Sequence, residues 1–198
     1  DIKAIGVNYT DVYTRTGMTP SKVPVIPGVE ASGIVLRAGR DVTEVKEGDL
    51  VAYTGAMGSY AERAAVSSWR LVKVPDGLSA EDSAAAMLQG STAHYLSQTI
   101  YPIGEGDTSL VHAGAGGVGL LLIQMVKARG GRVIATVSTD EKAMLAKEAG
   151  ADHVIVYSRE DFLSSVMQIT DNKGLEVVYD AVGATTFEKS IGCLKQRG

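Results

Sequence analysis

The sequence predicts an α/β protein in which a β-rich half precedes an open parallel sheet carrying helices on both faces. Three observations lead there. Residues 1 to 88 hold short alternating apolar runs divided by glycines and prolines. From about residue 90 the period changes, and strand-length apolar runs alternate with helical patterns. At residue 108 one such run passes through a glycine turn directly into a helix pattern.

In the first half, the strand-like opening Ile2–Val7 is followed by runs at Val25–Leu36, Asp49–Tyr53, Tyr60–Val66 and Arg70–Val74, each suited to a short strand. Turn signals at Glu47-Gly-Asp49 and Pro75-Asp-Gly77 separate them, so this half reads as a β-rich barrel or sandwich. Trp69 is expected to anchor its packing. Ser79 followed by Glu81 and Asp82 then signals a helix start, a hydroxyl cap with acids in the first turn.

The second half predicts strands at 108–113, 132–137, 153–156 and 175–180, and helices near 117–129, 140–149, 159–170 and 185–194. Gly130-Gly131 and Gly150 end the first two helices. Right-handed crossovers place the first glycine turn at the carboxyl edge of the sheet, where such folds bind ligands. That turn has the spacing Gly114-x-Gly116-x-x-Gly119. The first glycine permits a tight reversal, the second a close backbone approach to a pyrophosphate, and the third close packing of helix on strand. The helix start, with Gly117 and Val118, offers N–H groups and partial positive charge to phosphates. A dinucleotide site follows from this order.

Sites that take NAD place an acid at the end of the second strand, about 20 residues past the glycines, to hold the ribose hydroxyls. Here the strand Arg132–Val137 ends in Ser138-Thr139, with Lys142 one helical turn on. A hydroxyl and an ammonium suit a 2′-phosphate, so NADPH is expected over NADH, with Asp140 the residue able to reverse the choice by turning toward the ribose.

Composition excludes several function classes. A net charge of −4 without a basic block argues against a nucleic-acid groove, and no run of 18 apolar residues marks a membrane span. The lone cysteine, Cys193, allows no internal disulfide and no multi-cysteine zinc site, and points to a reducing, cytoplasmic compartment. Cys193 is expected to be a small core residue. His94, His112 and His153 lack metal spacing and an evident carboxylate partner, so structural roles are expected for them. Both ends read as interior to a longer enzyme: residue 1 is not Met, and a further strand is expected after Lys195–Gly198.

The segments Val7–Arg15, Pro27–Val35, Gly48–Val51, His112–Gly119, Thr136–Lys142 and Val177–Gly183 together resemble the medium-chain dehydrogenase/reductase superfamily, in particular its zinc-free NADPH:quinone oxidoreductases of the zeta-crystallin type. The resemblance spans the whole chain. It implies an incomplete GroES-like catalytic domain over residues 1–89 and an incomplete Rossmann domain over residues 90–198. Zinc enzymes of the superfamily carry Cys and His where this chain has Asn8 and Val29, and their third ligand position falls near Gln89. Hydrocarbon and amide side chains are poor zinc donors, so no metal is expected.

The resemblance also implies roles. Asn8, Asp11 and Tyr13 lie beside the nicotinamide as catalytic-site residues, and Tyr13 also contacts the cofactor. Tyr95, Gly114, Gly116, Gly117, Val118, Gly119, Ser138, Lys142, Tyr157 and Val182 hold NADPH, and Tyr53 lines the acceptor pocket. The implied activity is reduction of a quinone by NADPH in a homodimeric parent enzyme. An enoyl or alkenal double-bond reductase acting on an activated alkene is the alternative, and a non-catalytic NADPH-binding protein of the zeta-crystallin kind is a third reading.

Overall fold

A computed structural model describes all 198 residues, which form two compact units, Asp1–Ser91 and Thr92–Gly198.

The first unit is built on a four-stranded antiparallel sheet. Its strands β1 (Ile2–Ile5), β2 (Glu30–Ile34), β3 (Leu50–Thr54) and β4 (Val72–Lys73) lie in that spatial order. Between β1 and β2 runs helix α1 (Tyr9–Thr16), stopped by Gly17 at φ 77°. Tyr13 therefore lies within a helix. β2 is shorter than the run Val25–Leu36. Pro27 has no N–H to give a ladder and Gly28 turns the chain at φ 90°, so pairing begins only at Glu30, opposite Thr54.

Tyr60–Val66 alternates like a strand but forms none. Its backbone closes the Pro27–Gly28 turn instead, Tyr60 N–H donating to Pro27 O, and reaches the sheet through one bond from Ile2 N–H to Glu62 O. Most of Arg70–Val74 likewise falls outside a strand, because residues 68–70 form a 3₁₀ turn. Trp69 is 72% exposed rather than an internal anchor, and the Arg70 guanidinium lies 4.2 Å from its ring centroid. The indole face is covered by a cation that remains in water.

Helix α2 (Ala80–Tyr95) begins as its sequence predicts, with Ser79 Oγ accepting the Asp82 N–H. It runs past Leu88 and ends in a π-helical turn, Leu96–Ile100. Nothing before Pro102 breaks it, and the residue before a proline disfavours helical backbone.

The second unit holds β5 (Thr108–Val111), α3 (Gly117–Ala128), β6 (Arg132–Val137), α4 (Asp140–Glu148), β7 (His153–Val156), α5 (Phe162–Ile169), β8 (Val177–Tyr179) and α6 (Phe187–Gly192). The strands are parallel in the order β7-β6-β5-β8. Alternation along them divides the core cleanly. Leu110, Ile134 and Ile155 pack with Phe162, Val166, Leu175 and Cys193 on one face. Val111, Val133, Ala135, Val137 and Val156 pack with Leu122, Ile123, Val126 and Ala146 on the other. Each fully buried aliphatic side chain contributes about 1.5–3 kcal/mol of transfer free energy. Burial pushes the Cys193 thiol up to about 11, which keeps it protonated and inert.

Successive strands step from β5 to β6 to β7, and the chain then returns to the far side of β5 for β8. The order therefore reverses between β5 and β8, and a crevice opens outside their carboxyl ends. No helix is long and apolar enough to cross a membrane.

Candidate functional site

At the carboxyl end of β5 the chain turns within five residues. The residue in the left-handed region is Ala113, at φ 51°, not Gly114. Gly114 is needed for space: a Cβ there would stand 2.7 Å from the Ala135 Cβ on β6. A Cβ on Gly119 would come within 2.4 Å of Ala113 O, so the helix can approach its own turn only without a side chain. Gly116, the N-cap, is different. Its Cβ would meet nothing within 4 Å except Ala113 O at 3.1 Å, so its outer side faces open space. Leu120 is the first amide of α3 to find an acceptor, on Gly116 O. The amides of Gly117, Val118 and Gly119 precede it without one, and no acid occupies the first turn. The result is an unneutralised helix N-terminus at the crevice.

At the tip of β6, Thr139 caps α4 by accepting the Lys142 N–H, while Lys142 Nζ donates to Ser138 Oγ at 3.2 Å. Asp140 does not turn toward this pair. Arg159 Nη1 and Nη2 donate to its two oxygens at 2.8 and 2.6 Å, and that guanidinium holds the Asp140 carboxyl below its usual range. Ser158 Oγ donates to Ser138 O, tying the loop after β7 to the same tip. Tyr157 follows β7 and is 54% exposed.

The turn after β8 is organised by Asp180. Its carboxylate accepts from Val182 N, Gly183 N, Thr186 Oγ1 and Ser190 Oγ at 2.7–3.0 Å. Burial alone would raise its pKa; the four donors outweigh that and bring it to about 2. Ser190 Oγ also lies 3.0 Å from His112 Nε2, and His112 Nδ1 lies 2.8 Å from Thr136 Oγ1. His112 therefore has a carboxylate neighbour after all, Asp180 at 3.9 Å. Burial holds its imidazole below the usual range, against the pull of that charge. A cavity of about 340 Å³ opens here, lined among others by His112, Thr136, Tyr157, Phe162, Val182 and Lys189.

In the first unit, Asn8 stands at the N-terminus of α1, with Asp11 Oδ2 accepting its backbone N–H at 2.9 Å. The same oxygen accepts from Tyr60 Oη at 2.9 Å. Asn8 Nδ2 donates to Glu30 Oε2 at 2.7 Å, and Gln89 Nε2 donates to Asn8 Oδ1 at 3.4 Å. Glu30 is completely buried and also accepts the Leu88 N–H. Tyr13 is half-buried on the next turn of α1, edge-on to Tyr9 at 5.2 Å.

The predicted residues thus form separate groups. Asn8 and Asp11 share a network, with Tyr13 on the same helix. Gly114, Gly116, Gly117, Val118 and Gly119 form one turn, and Ser138 with Lys142 another contact. Tyr157 and Val182 line one cavity. Tyr95 ends α2 half exposed. Tyr53 is not brought to the Asn8 group. It lies opposite Ala31 in the ladder, and Glu30 points to the other face of β2, so Tyr53 looks away from Glu30 into a different groove with Arg63.

Sequence pattern alone does not single out Glu30, Tyr60, Arg159, Asp180 or Ser190. Only Glu30 carries a signal, an acid inside the apolar strand run Val25–Leu36. No group of three or more His, Cys, Asp or Glu side chains comes together to hold a metal ion.

A family model described as the alcohol dehydrogenase GroES-like domain matches residues 1–76, and one described as zinc-binding dehydrogenase matches residues 117–198. The chain is 45% identical over 99% of its length to a quinone oxidoreductase of Pseudomonas aeruginosa, covering 61% of that protein. It is 40% identical over 98% of its length to a 2-haloacrylate reductase of a Burkholderia species, again covering 61%. Among solved structures, the Escherichia coli quinone oxidoreductase complexed with NADPH superimposes with a TM-score of 0.97 at 42% identity, over all of this chain and 61% of that one. The chain thus spans about three fifths of the length of the relatives it matches.

Proposed function

Because the chain belongs to the quinone oxidoreductase branch of the medium-chain dehydrogenase/reductase superfamily, we propose that it serves the reduction of a quinone by NADPH without a metal. The observation that carries this reading is the pairing of two features in the second unit. An N-terminus with three unpaired amides lies at the strand-order reversal, and the tip of β6 presents Lys142 and Ser138 while its nearest acid is already engaged.

The residues suit NADPH. Gly116 leaves the space a pyrophosphate needs, and Gly117 and Val118 supply its N–H donors. Ser138, Lys142 and Tyr157 hold the 2′-phosphate side, and Val182 with Tyr157 lines a cavity at the lower end of small-molecule pocket volumes. Tyr95 completes the cofactor set, and residues 90–198 constitute the dinucleotide domain. When bound, NADPH supplies the hydride that reduces the acceptor.

Residues 1–89 provide the acceptor side through Asn8, Asp11 and Tyr13. The Asn8 amide is held at both ends, by Glu30 and by Gln89, so its orientation is fixed and its second Nδ2 hydrogen remains to donate. Tyr60 and the Asn8 N–H lock the Asp11 carboxylate in place. These side chains do not fit zinc: amides bonded to each other and the half-buried Val29 stand at the ligand positions. Without a Lewis acid, an electron-poor quinone is a suitable acceptor, since its reduction needs positioning and modest polarisation. The reading extends to a homodimeric protein of the cytoplasm.

The test is steady-state NADPH oxidation by the full-length protein with 1,4-benzoquinone, 9,10-phenanthrenequinone and a 2-alkenal. The quinones are expected to turn over with the higher kcat/KM. Turnover of the alkenal alone would replace quinone reduction with double-bond reduction.

A further inference from the structure

An acid at the first position of α4 is at odds with a 2′-phosphate two residues away. Asp140 is that acid. Left to itself, its carboxylate would either accept hydrogen bonds from the ribose hydroxyls or repel a phosphate carrying about 1.5–2 negative charges. Both tendencies are weakened here, because each of its oxygens accepts from the fork of Arg159, 19 residues further along the chain, which offsets its charge and draws it away from the ribose side. The bidentate geometry satisfies the carboxylate in the direction of the loop after β7.

We propose that Arg159 sets the preference for NADPH over NADH by sequestering Asp140, and so acts as a specificity-determining residue through that acid. The inference rests on the reading that the chain takes NADPH. Three observations support it. Lys142, two residues from Asp140, spends its ammonium on Ser138 Oγ rather than on the acid beside it, so the phosphate-facing cation is not neutralised. The neighbouring Ser158 bonds Ser138 O, which fixes the Arg159 loop against the tip of β6. Both partners of the pair are more than half exposed, so the pair adds little to stability and its consequence is local charge.

The experiment is a double-substitution cycle in the full-length protein, read as the dissociation constants of NADPH and NADH from cofactor fluorescence. Arg159→Leu is expected to cut the NADPH/NADH affinity ratio by about fivefold, the size of one exposed charge interaction. Asp140→Asn is expected to leave the ratio unchanged or raise it. In Arg159→Leu/Asp140→Asn the ratio is expected to return to within about twofold of the parent, because the acid that Arg159 restrained is gone. An unchanged ratio in Arg159→Leu overturns the inference. So does a double variant as impaired as Arg159→Leu, which would mean that the guanidinium meets the phosphate directly. Failure of the parent protein to prefer NADPH would instead count against the cofactor reading itself. Arg159→Lys, which keeps the charge but not the fork, is expected to fall between parent and Arg159→Leu.

Discussion

Asn8 donates its side-chain amide to Glu30, a carboxylate with no solvent exposure, at 2.7 Å. The orientation of a candidate acceptor-site amide is thus set from inside the fold. Glu30→Ala removes the acceptor shared by Asn8 Nδ2 and the Leu88 N–H, and a buried hydrogen bond to a charged group is worth about 1.5–3 kcal/mol. Denaturant unfolding is expected to show a loss of about 2–4 kcal/mol, and Glu30→Gln, which retains one acceptor oxygen, a smaller one. Equal stability of parent and Glu30→Ala would remove this organising role.

The glycines of the first turn have different tasks, and alanine separates them. Gly119→Ala places a Cβ 2.4 Å from a backbone oxygen, so something must shift, at a cost of about 1–3 kcal/mol in thermal or denaturant unfolding. Gly116→Ala, at 3.1 Å, is expected to fold nearly as well and yet bind NADPH at least tenfold more weakly, since its Cβ occupies the ligand side. Unaltered NADPH affinity in a folded Gly116→Ala protein would move the pyrophosphate elsewhere.

Stability is expected to fall with acidification in two stages. His112 is depressed by burial, so the unfolded chain takes up a proton first and stability declines as pH drops below about 6.5. Asp180, at about 2 in the folded state against the usual 3.8, contributes stability that is full above about pH 4 and is lost as pH falls through about 2. In urea titrations at about pH 7, 5 and 3, His112→Asn is expected to flatten the decline between the first two, and Asp180→Asn the decline below pH 4. A parent protein equally stable at pH 7 and 5 would contradict the first assignment.

Much of the second unit was legible because its physics is local. The runs holding Leu110, Ile134 and Ile155 alternate, and the left-handed caps at Gly130 and Gly150 mark helix ends. Strand ends were less legible: β5 stops at Val111 because Ala113, a residue with no turn signature, adopts the left-handed conformation. The site networks were illegible for another reason. Tyr60 meets Asp11 across 49 residues and Ser190 meets His112 across 78, and no spacing rule reports a contact that only the tertiary fold creates. Strand parity, by contrast, is legible: Tyr53 faces the side of the sheet away from Glu30, where it lines a groove with Arg63.

Lys142→Ala tests the phosphate side without disturbing the fold, because Lys142 is exposed and its backbone caps α4 whatever its side chain. KM for NADPH is expected to rise about tenfold, as for loss of one charge-assisted contact of about 1.4 kcal/mol, with KM for NADH nearly constant. Parallel losses with both cofactors would take Lys142 out of the phosphate site.

Metal-free quinone reduction is tested by kcat/KM for NADPH with 1,4-benzoquinone before and after exhaustive metal removal by chelation, with bound metal quantified in parallel. Quinone turnover is expected to be unchanged by chelation, in a protein free of stoichiometric zinc, with NADPH favoured over NADH. Turnover abolished by chelation and restored by added Zn²⁺ would contradict this expectation.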